Sequence, residues 1–452
     1  MSKLRDRLNF LEKDNIKQTW EKIDTSEKTL TTRDKLEKLV NLSLKRDKPV
    51  IPKDPVATSK HSLQQTNQDS QDSHDAQSSH DPGDKNSPII IQDFTYPLDV
   101  THGKFPLSLW KTVSAHHLPL TFGAESCEEN EINPMELLFF DTETTGLSGG
   151  TGTIAFMLGF GFFDDDSFHV KIFILNDLYR EDFFLEEVDR FLQSRQFSAT
   201  VTFNGKSFDF PLMESRYILQ RKRFPLLKLP HLDFLFPARI VWKNTFESRR
   251  LGYLGDILLG ISRADDIDGA QIPAIYFNYL RSKSFYLLQK VVEHNAMDLL
   301  GLAALVLLVI KYQENIEYTD DEGEILGIAK LYEKYGDLEK ANHLYELLKK
   351  SGTRNEIVSK AIACLAIVKK REKLFLEASQ LWELVTQIQD THIQAVRELS
   401  VHFEHREKNY TLAIRYVRQA LEAITLTDGQ RKDFEKRLNR LTKKIESLEK
   451  EE

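Results

Sequence analysis

The run Leu137-Leu-Phe-Phe-Asp141-Thr-Glu143 sets the tightest limit on what this chain can fold into. Four consecutive large apolar residues call for burial on both faces, the pattern of a strand inside a sheet. The run then ends on two acids. Side chains alternate along a strand, so Asp141 and Glu143 project the same way with Thr142 between them. Burying the strand therefore sets two carboxylates side by side at its end, where each makes ionisation of the other harder. A divalent cation removes that penalty, and oxygen donors suit Mg²⁺ or Mn²⁺. The plain alternative is a pair of solvated acids in a turn. The preceding apolar run and the following Thr-Thr-Gly146-Leu147 weigh against it.

Further strands surround this one. Ile154 to Phe163 and Phe168 to Leu175 are strand-like, and Asp164-Asp-Asp-Ser167 between them has turn chemistry, so a hairpin is expected. Glu181 to Arg195 carries Phe184, Val188, Phe191 and Leu192 at helical spacing. Thr200-Val-Thr-Phe203 is a fourth strand, after which Asn204-Gly205 turns the chain into a helix from about Ser207. The order β-β-β-α-β-α describes a mixed sheet flanked by helices, closed by a long apolar helix from Val291 to Tyr312. Two more acids fall at telling places. Asp209 lies in the first helical turn after Asn204-Gly205-Lys206, where an acid also complements the helix dipole. His294 and Asp298 are four apart on the closing helix and share a face. Asp298 adjoins an otherwise apolar stretch, where an unpaired charge is costly.

In this order and on these elements, the acidic motifs resemble those of the DEDD 3′–5′ exonucleases, which have the ribonuclease-H-like fold. More narrowly, residues 92–312 resemble the YprB ribonuclease-H-like family. The resemblance is carried by Tyr96-Pro-Leu-Asp-Val-Thr-His-Gly103, DTETTGL from Asp141, TFNGKSFDFP from Thr202, His231-Leu-Asp-Phe-Leu-Phe-Pro-Ala-Arg239, Asp265-Asp-Ile-Asp-Gly-Ala-Gln-Ile-Pro273 and HNAMDLLGLAAL from His294. It implies an α/β ribonuclease-H-like mixed sheet with flanking helices. It also implies a hydrolase that cuts phosphodiester bonds at single-stranded DNA or RNA ends. Asp141, Glu143, Asp209 and Asp298 would hold two ions, Mg²⁺ or Mn²⁺, and His294 would orient or deprotonate the attacking water. His294 precedes Asp298 by four positions, the interval usual with Tyr; family members with a catalytic His usually show five.

Residues 216–250 gather Arg216, Arg221, Lys222, Arg223, Lys228, Arg239, Lys243, Arg249 and Arg250 against only Asp233 and Glu247, in a chain whose net charge is −8. Tyr217, Phe224, Phe234, Phe236, Trp242 and Phe246 are interleaved. A basic groove with stacking faces is what a single strand needs. Phe234 and Phe236 read as core, and about half of the cations as a solvated face. Asn204, Lys206, Arg216, Arg221, Arg223, Arg239, Arg249 and Arg250 are the expected nucleic-acid contacts, although Lys206 reads nearly as well as a plain surface lysine. Ser148-Gly-Gly-Thr-Gly152 is neither a Walker A loop nor a GxGxxG turn, and reads as pliant backbone beside the first carboxylates.

The rest of the 452 residues divides by texture. Residues 1–50 read as an N-terminal helical arm. Residues 51–91 read as a disordered polar linker; His61, His74 and His80 there are weak metal candidates at most. Residues 92–315 form the ribonuclease-H-like domain. Residues 321–452 are helical throughout, with LEKANHLYELL, FLEASQLWELV and YTLAIRYVRQAL aligning on Ala341, Ala378 and Ala413, 37 and 35 residues apart. This period, with a small residue where helices cross, resembles tetratricopeptide helix pairs. Gly336 marks only the first of the three turns, and the stretch from Arg431 reads as a capping helix. Such repeats would bind a protein partner or brace the nuclease domain.

The chain starts without an apolar leader, and its best membrane candidate, Leu299 to Ile310, is about a dozen residues against the roughly 18 that a spanning helix needs. Cys127 and Cys364 are the only cysteines, which excludes a disulfide framework and a thiolate zinc site. A cytoplasmic protein with no membrane role is expected. A scaffold derived from a nuclease, binding nucleic acid or protein without turnover, is the second reading, and the intact set of four acids argues against it.

Overall fold

The computed structural model describes residues 77–78, 87–123, 132–146, 152–260, 267–389, 392–422 and 426–448, all within the compact unit Asp75–Glu452. Outside the described residues lie the N-terminal arm, most of the polar linker with His61, His74 and His80, Cys127, most of the Gly-rich stretch after Gly146, and the start of the Asp265–Pro273 motif.

The strands are β1 (Gln77–Ser78), β2 (Ile89–Pro97), β3 (Thr101–His102), β4 (Phe105–Pro106), β5 (Leu137–Thr144), β6 (Ala155–Phe163), β7 (Ser167–Leu175), β8 (Ala199–Thr202) and β9 (His231–Asp233). Seven of them form one sheet in the order β1-β2-β7-β6-β5-β8-β9. Pairing is antiparallel from β1 to β5 and parallel for β5–β8 and β8–β9. The β6–β7 hairpin turns at Asp164, whose carboxylate accepts the backbone N–H groups of Asp166 and Ser167. β2 was not foreseen as a strand: its inward Gln92, Phe94 and Tyr96 alternate with Asp93, Thr95 and Pro97, the pattern of a strand with one face buried, and on its outer side only the two-residue β1 pairs with it. β1 and the first three residues of β2 come from the stretch read as linker.

Helices α1 (His117–Phe122), α2 (Glu181–Gln193), α3 (Asp209–Leu219), α4 (Leu235–Val241), α5 (Leu251–Leu259), α6 (Ile272–Ser282) and α7 (Tyr286–Glu314) flank the sheet. Residue parity along β5 decides which face each neighbour meets. Phe140 stacks on Phe160 and meets Phe210 of α3, while Phe139 meets Trp110 and Phe168 on the side covered by α7. α7 is long and apolar enough to cross a membrane by length and composition, but 89% of its most apolar window is buried in the fold. Its apolarity is that of a core helix.

Among the described residues, seven more helices follow: α8 (Glu322–Tyr335), α9 (Leu338–Ser351), α10 (Asn355–Arg371), α11 (Phe375–Ile388), α12 (Ile393–His405), α13 (Tyr410–Glu422) and α14 (Asp428–Leu448). Ala341, Ala378 and Ala413 are buried on the second helix of each successive pair. The two turns that lack glycine place Lys373 and Lys408 at φ of 65° and 59°, in register with Gly336 at φ 100°. The repeat thus keeps its left-handed turn residue where the sequence has no glycine to favour it. The last pair is anchored to α14 by Glu404, fully buried and bonded to Arg437, Arg440 and Lys444. Burial pushes the Glu404 carboxyl up, but Arg440 and Lys444 outweigh it and hold the group at about 2.

The helical array is not a separate bead. α8 lies directly on α4, where a Cβ at Gly327 would come within 2.1 Å of the Val241 carbonyl oxygen. Buried Trp242 donates its indole N–H to Glu324 at 2.9 Å, and Tyr332 donates its hydroxyl to the Gln313 carbonyl. Gly327→Val is expected to force this seam apart and destabilise the protein by about 1–3 kcal/mol. Calorimetry of the full chain should then resolve a second transition; one unchanged transition would contradict the seam's importance.

Candidate functional site

The site is built at the end of β5, where the antiparallel half of the sheet meets the parallel half. In open α/β sheets such a reversal leaves a crevice beyond the strand ends. β5 supplies Asp141, Thr142 and Glu143, and a bulge between Glu143 and Thr144 ends its regular pairing. β8 leads through Phe203-Asn204-Gly205-Lys206 into α3, which opens on Asp209. α7 crosses the other side and supplies His294, Asn295 and Asp298.

The alternation predicted for β5 holds. Asp141 and Glu143 follow the parity of Phe139 and meet α7. Asn295 donates its amide to Asp141 Oδ2 at 2.8 Å, and His294 Nε2 stands 3.9 Å from Glu143 Oε1 and 3.5 Å from Asp298 Oδ2. Thr142 follows Phe140 and donates its hydroxyl to Asp209 Oδ1 at 2.5 Å. Every expected catalytic position is therefore tied to β5 by at most one intervening side chain. Among the described residues, no three His, Cys, Asp or Glu side chains are grouped so as to hold an ion as they stand.

The charge that the site concentrates is visible in its acids. Burial raises the Asp141 carboxyl well above the usual range, and the charges of Asp209, Glu143 and Asp298 raise it further. Burial also raises Asp209, to about 6, against the lowering effect of the Thr142 hydroxyl. Hard oxygen donors under mutual repulsion are a donor set that fits a divalent cation.

Sequence reasoning missed Asp233. It is buried at the end of β9, and its carboxylate accepts the backbone N–H groups of Asn204 at 2.8 Å, Lys206 at 3.1 Å and Leu235 at 3.1 Å. It thereby fixes the turn before Asp209, in which Asn204 adopts φ 72°. Its sequence signals were its place in the His231–Arg239 motif and its being, with Glu247, one of two acids in a basic stretch. Asn295 was missed as well; its signal is a polar residue on the buried stripe Leu288, Val292, Leu299 and Leu302.

The basic stretch does not form one continuous surface. Arg216 is buried, donates from Nε to Glu181 Oε1 at 2.6 Å and also pairs through Nη2, so it is a structural cation rather than a groove residue. Arg249 donates to the Phe246 and Glu247 carbonyls and holds its own loop. Lys206, Arg221, Arg223, Arg239 and Arg250 are exposed. Of the aromatics, Tyr217, Phe224, Phe234 and Trp242 are core, whereas Phe236, expected in the core, is 41% exposed. The exposed aromatic beside the acids is Phe208, 56% exposed at the start of α3.

The fold is that of a ribonuclease-H-like nuclease domain, and a family model for the RNase H superfamily matches residues 138–310. The chain is 32% identical over 377 residues to the uncharacterized protein YprB of Bacillus subtilis (strain 168), covering 79% of this chain and 86% of that protein. The chain belongs to the YprB family of the RNase H superfamily.

Asp209 gives a signed expectation for stability. Its folded pKa lies above its unfolded value, so ionisation works against folding, and the penalty grows as pH rises from about 4 through 6. Half-buried His231, lowered by burial to about 3, has the opposite slope over part of that range, so the informative quantity is a difference. In EDTA, the melting temperature of Asp209→Asn minus that of wild type should increase from pH 4 to 6 and level off above. A flat difference would remove the strained carboxylate from the site.

Proposed function

We propose that the protein is a metal-dependent 3′–5′ exonuclease acting on single-stranded DNA or RNA ends. The observation that carries this reading is the set of four acids tied to the end of β5, with His294 between Glu143 and Asp298. Asp141, Glu143, Asp209 and Asp298 would hold two divalent ions, Mg²⁺ or Mn²⁺. When bound, the ions would offset charge on both the attacking and the leaving oxygen. His294 would take the proton of the attacking water, the general-base role that an imidazole most often fills. Phe208 offers a stacking face for the terminal base, and Asn204, Lys206, Arg221, Arg223, Arg239 and Arg250 would follow the phosphates. The repeats, tetratricopeptide-like in period, would brace this domain and present a surface to a protein partner. The setting would be the cytoplasm, with no membrane role.

Oligonucleotides labelled at either end, incubated with Mn²⁺ or Mg²⁺, should shorten from the 3′ end, and Asp141→Ala should abolish this. Binding without degradation would favour a scaffold. His294→Ala should lower turnover about 10²–10⁴-fold while leaving Mn²⁺ affinity intact; wild-type rates would remove His294 from the chemistry. Replacing Arg221, Arg223 and Arg250 together with alanine should flatten the log–log salt dependence of single-strand binding, its slope falling by about 0.7 for each phosphate that is no longer neutralised. An unchanged slope would place the strand elsewhere.

A further inference from the structure

Asn295 is fully buried in the middle of an apolar helix face, where an amide without partners is costly. One of its groups has a partner: Nδ2 donates to Asp141 Oδ2 at 2.8 Å. The other, Oδ1, is buried with no hydrogen-bond partner. The room for this amide comes from a third residue distant in sequence. Gly159 of β6 lies directly opposite Asp141 of β5. A Cβ there would meet Asn295 Oδ1 at 1.9 Å, Leu299 Cδ1 at 2.8 Å and Asn295 Cγ at 2.9 Å. The missing side chain at 159 is thus the slot through which the amide reaches the carboxylate.

The chemistry of the donor matters. A lysine or arginine in this place would hold Asp141 equally well but would neutralise the charge that draws a cation. An amide donates one hydrogen bond, orients the carboxylate and leaves its charge intact. We propose that Asn295 is a positioning residue: through the slot left by Gly159 it fixes Asp141 by one oxygen, Oδ2, and leaves Oδ1 for a divalent cation. The role in cation binding rests on the nuclease reading; the hold on Asp141 does not.

Two measurements on the full chain test it. By titration calorimetry at pH 7, Asn295→Leu should weaken Mn²⁺ binding about 10–100-fold, the range for a residue that orients a ligand. Gly159→Ala should weaken it similarly, because the added methyl expels the amide. The double variant Asn295→Ala/Gly159→Ala should bind no more weakly than Asn295→Ala, since two of the three clashing atoms are gone. Unchanged affinity in Asn295→Leu, or strictly additive losses, would overturn the proposal. In EDTA, Asn295→Leu should lower the melting temperature of wild type but not of Asp141→Ala, because only wild type is left with a carboxylate deprived of its side-chain amide donor. Absence of that coupling overturns the positioning role whatever the protein binds. Coupling in a wild type that takes up no Mn²⁺ would sink the nuclease reading and leave the hold on Asp141 standing.

Discussion

The burial of carboxylates at the end of β5, sharpened at Asp141 by its acidic neighbours, is the constraint around which the rest of the domain is arranged. A chain that buries Phe139 and Phe140 cannot avoid carrying Asp141 and Glu143 to the end of that strand, and the fold adds Asp209 and Asp298 from two helices. Asp141 and Asp209 are both raised, first by burial. Residues at a folding optimum would not be chosen this way. Strain of this kind is kept where a ligand relieves it. Its neighbours fit that view: Thr142, Asn295 and His294 orient the acids, and none brings a permanent positive charge that would cancel them.

Much of this was legible in the chain. The parity of β5, the hairpin turning on Asp164, the helix that begins near Asp209 and the shared face of His294 and Asp298 follow from local periodicity, which needs no knowledge of distant contacts. The helical repeat was legible for the same reason. Its small residues recur at the crossings, and even the turn register survives at Lys373 and Lys408, where no glycine stands.

What was not legible depended on which residues meet across long separations. Arg216 belongs to a basic stretch by sequence, but Glu181, on the neighbouring helix, buries it as an ion pair. Asp233 stood in a quoted motif and in the charge count but was given no role, because the Asn204 and Lys206 N–H groups that it gathers become its neighbours only once β8 and β9 pair in parallel. Gly159 stands among the apolar residues of β6, and its meaning appears only with Asn295 opposite. The exposure of Phe236 has the same origin. α4 is short, and its inner face is already filled by Leu235, Ala238 and Val241.

α4 also explains why the helical array belongs to the same body as the site. Asp233 caps the turn before Asp209 and, through Leu235 N–H, the first turn of α4. α4 ends at Val241, against which Gly327 brings the backbone of α8, and Trp242 is bonded to Glu324. A helix of about two turns has little freedom to bend, so the turn that positions Asp209 and the first helix of the array are joined by one short rigid element. The seam is built from a missing Cβ and a buried indole, contacts that fail abruptly when separated instead of yielding gradually. An array tethered for partner capture alone would need only a linker. Backbone-to-backbone packing on the helix next to the site is what bracing requires, and a partner engaging the repeats would do so on a surface continuous with the domain that carries the acids.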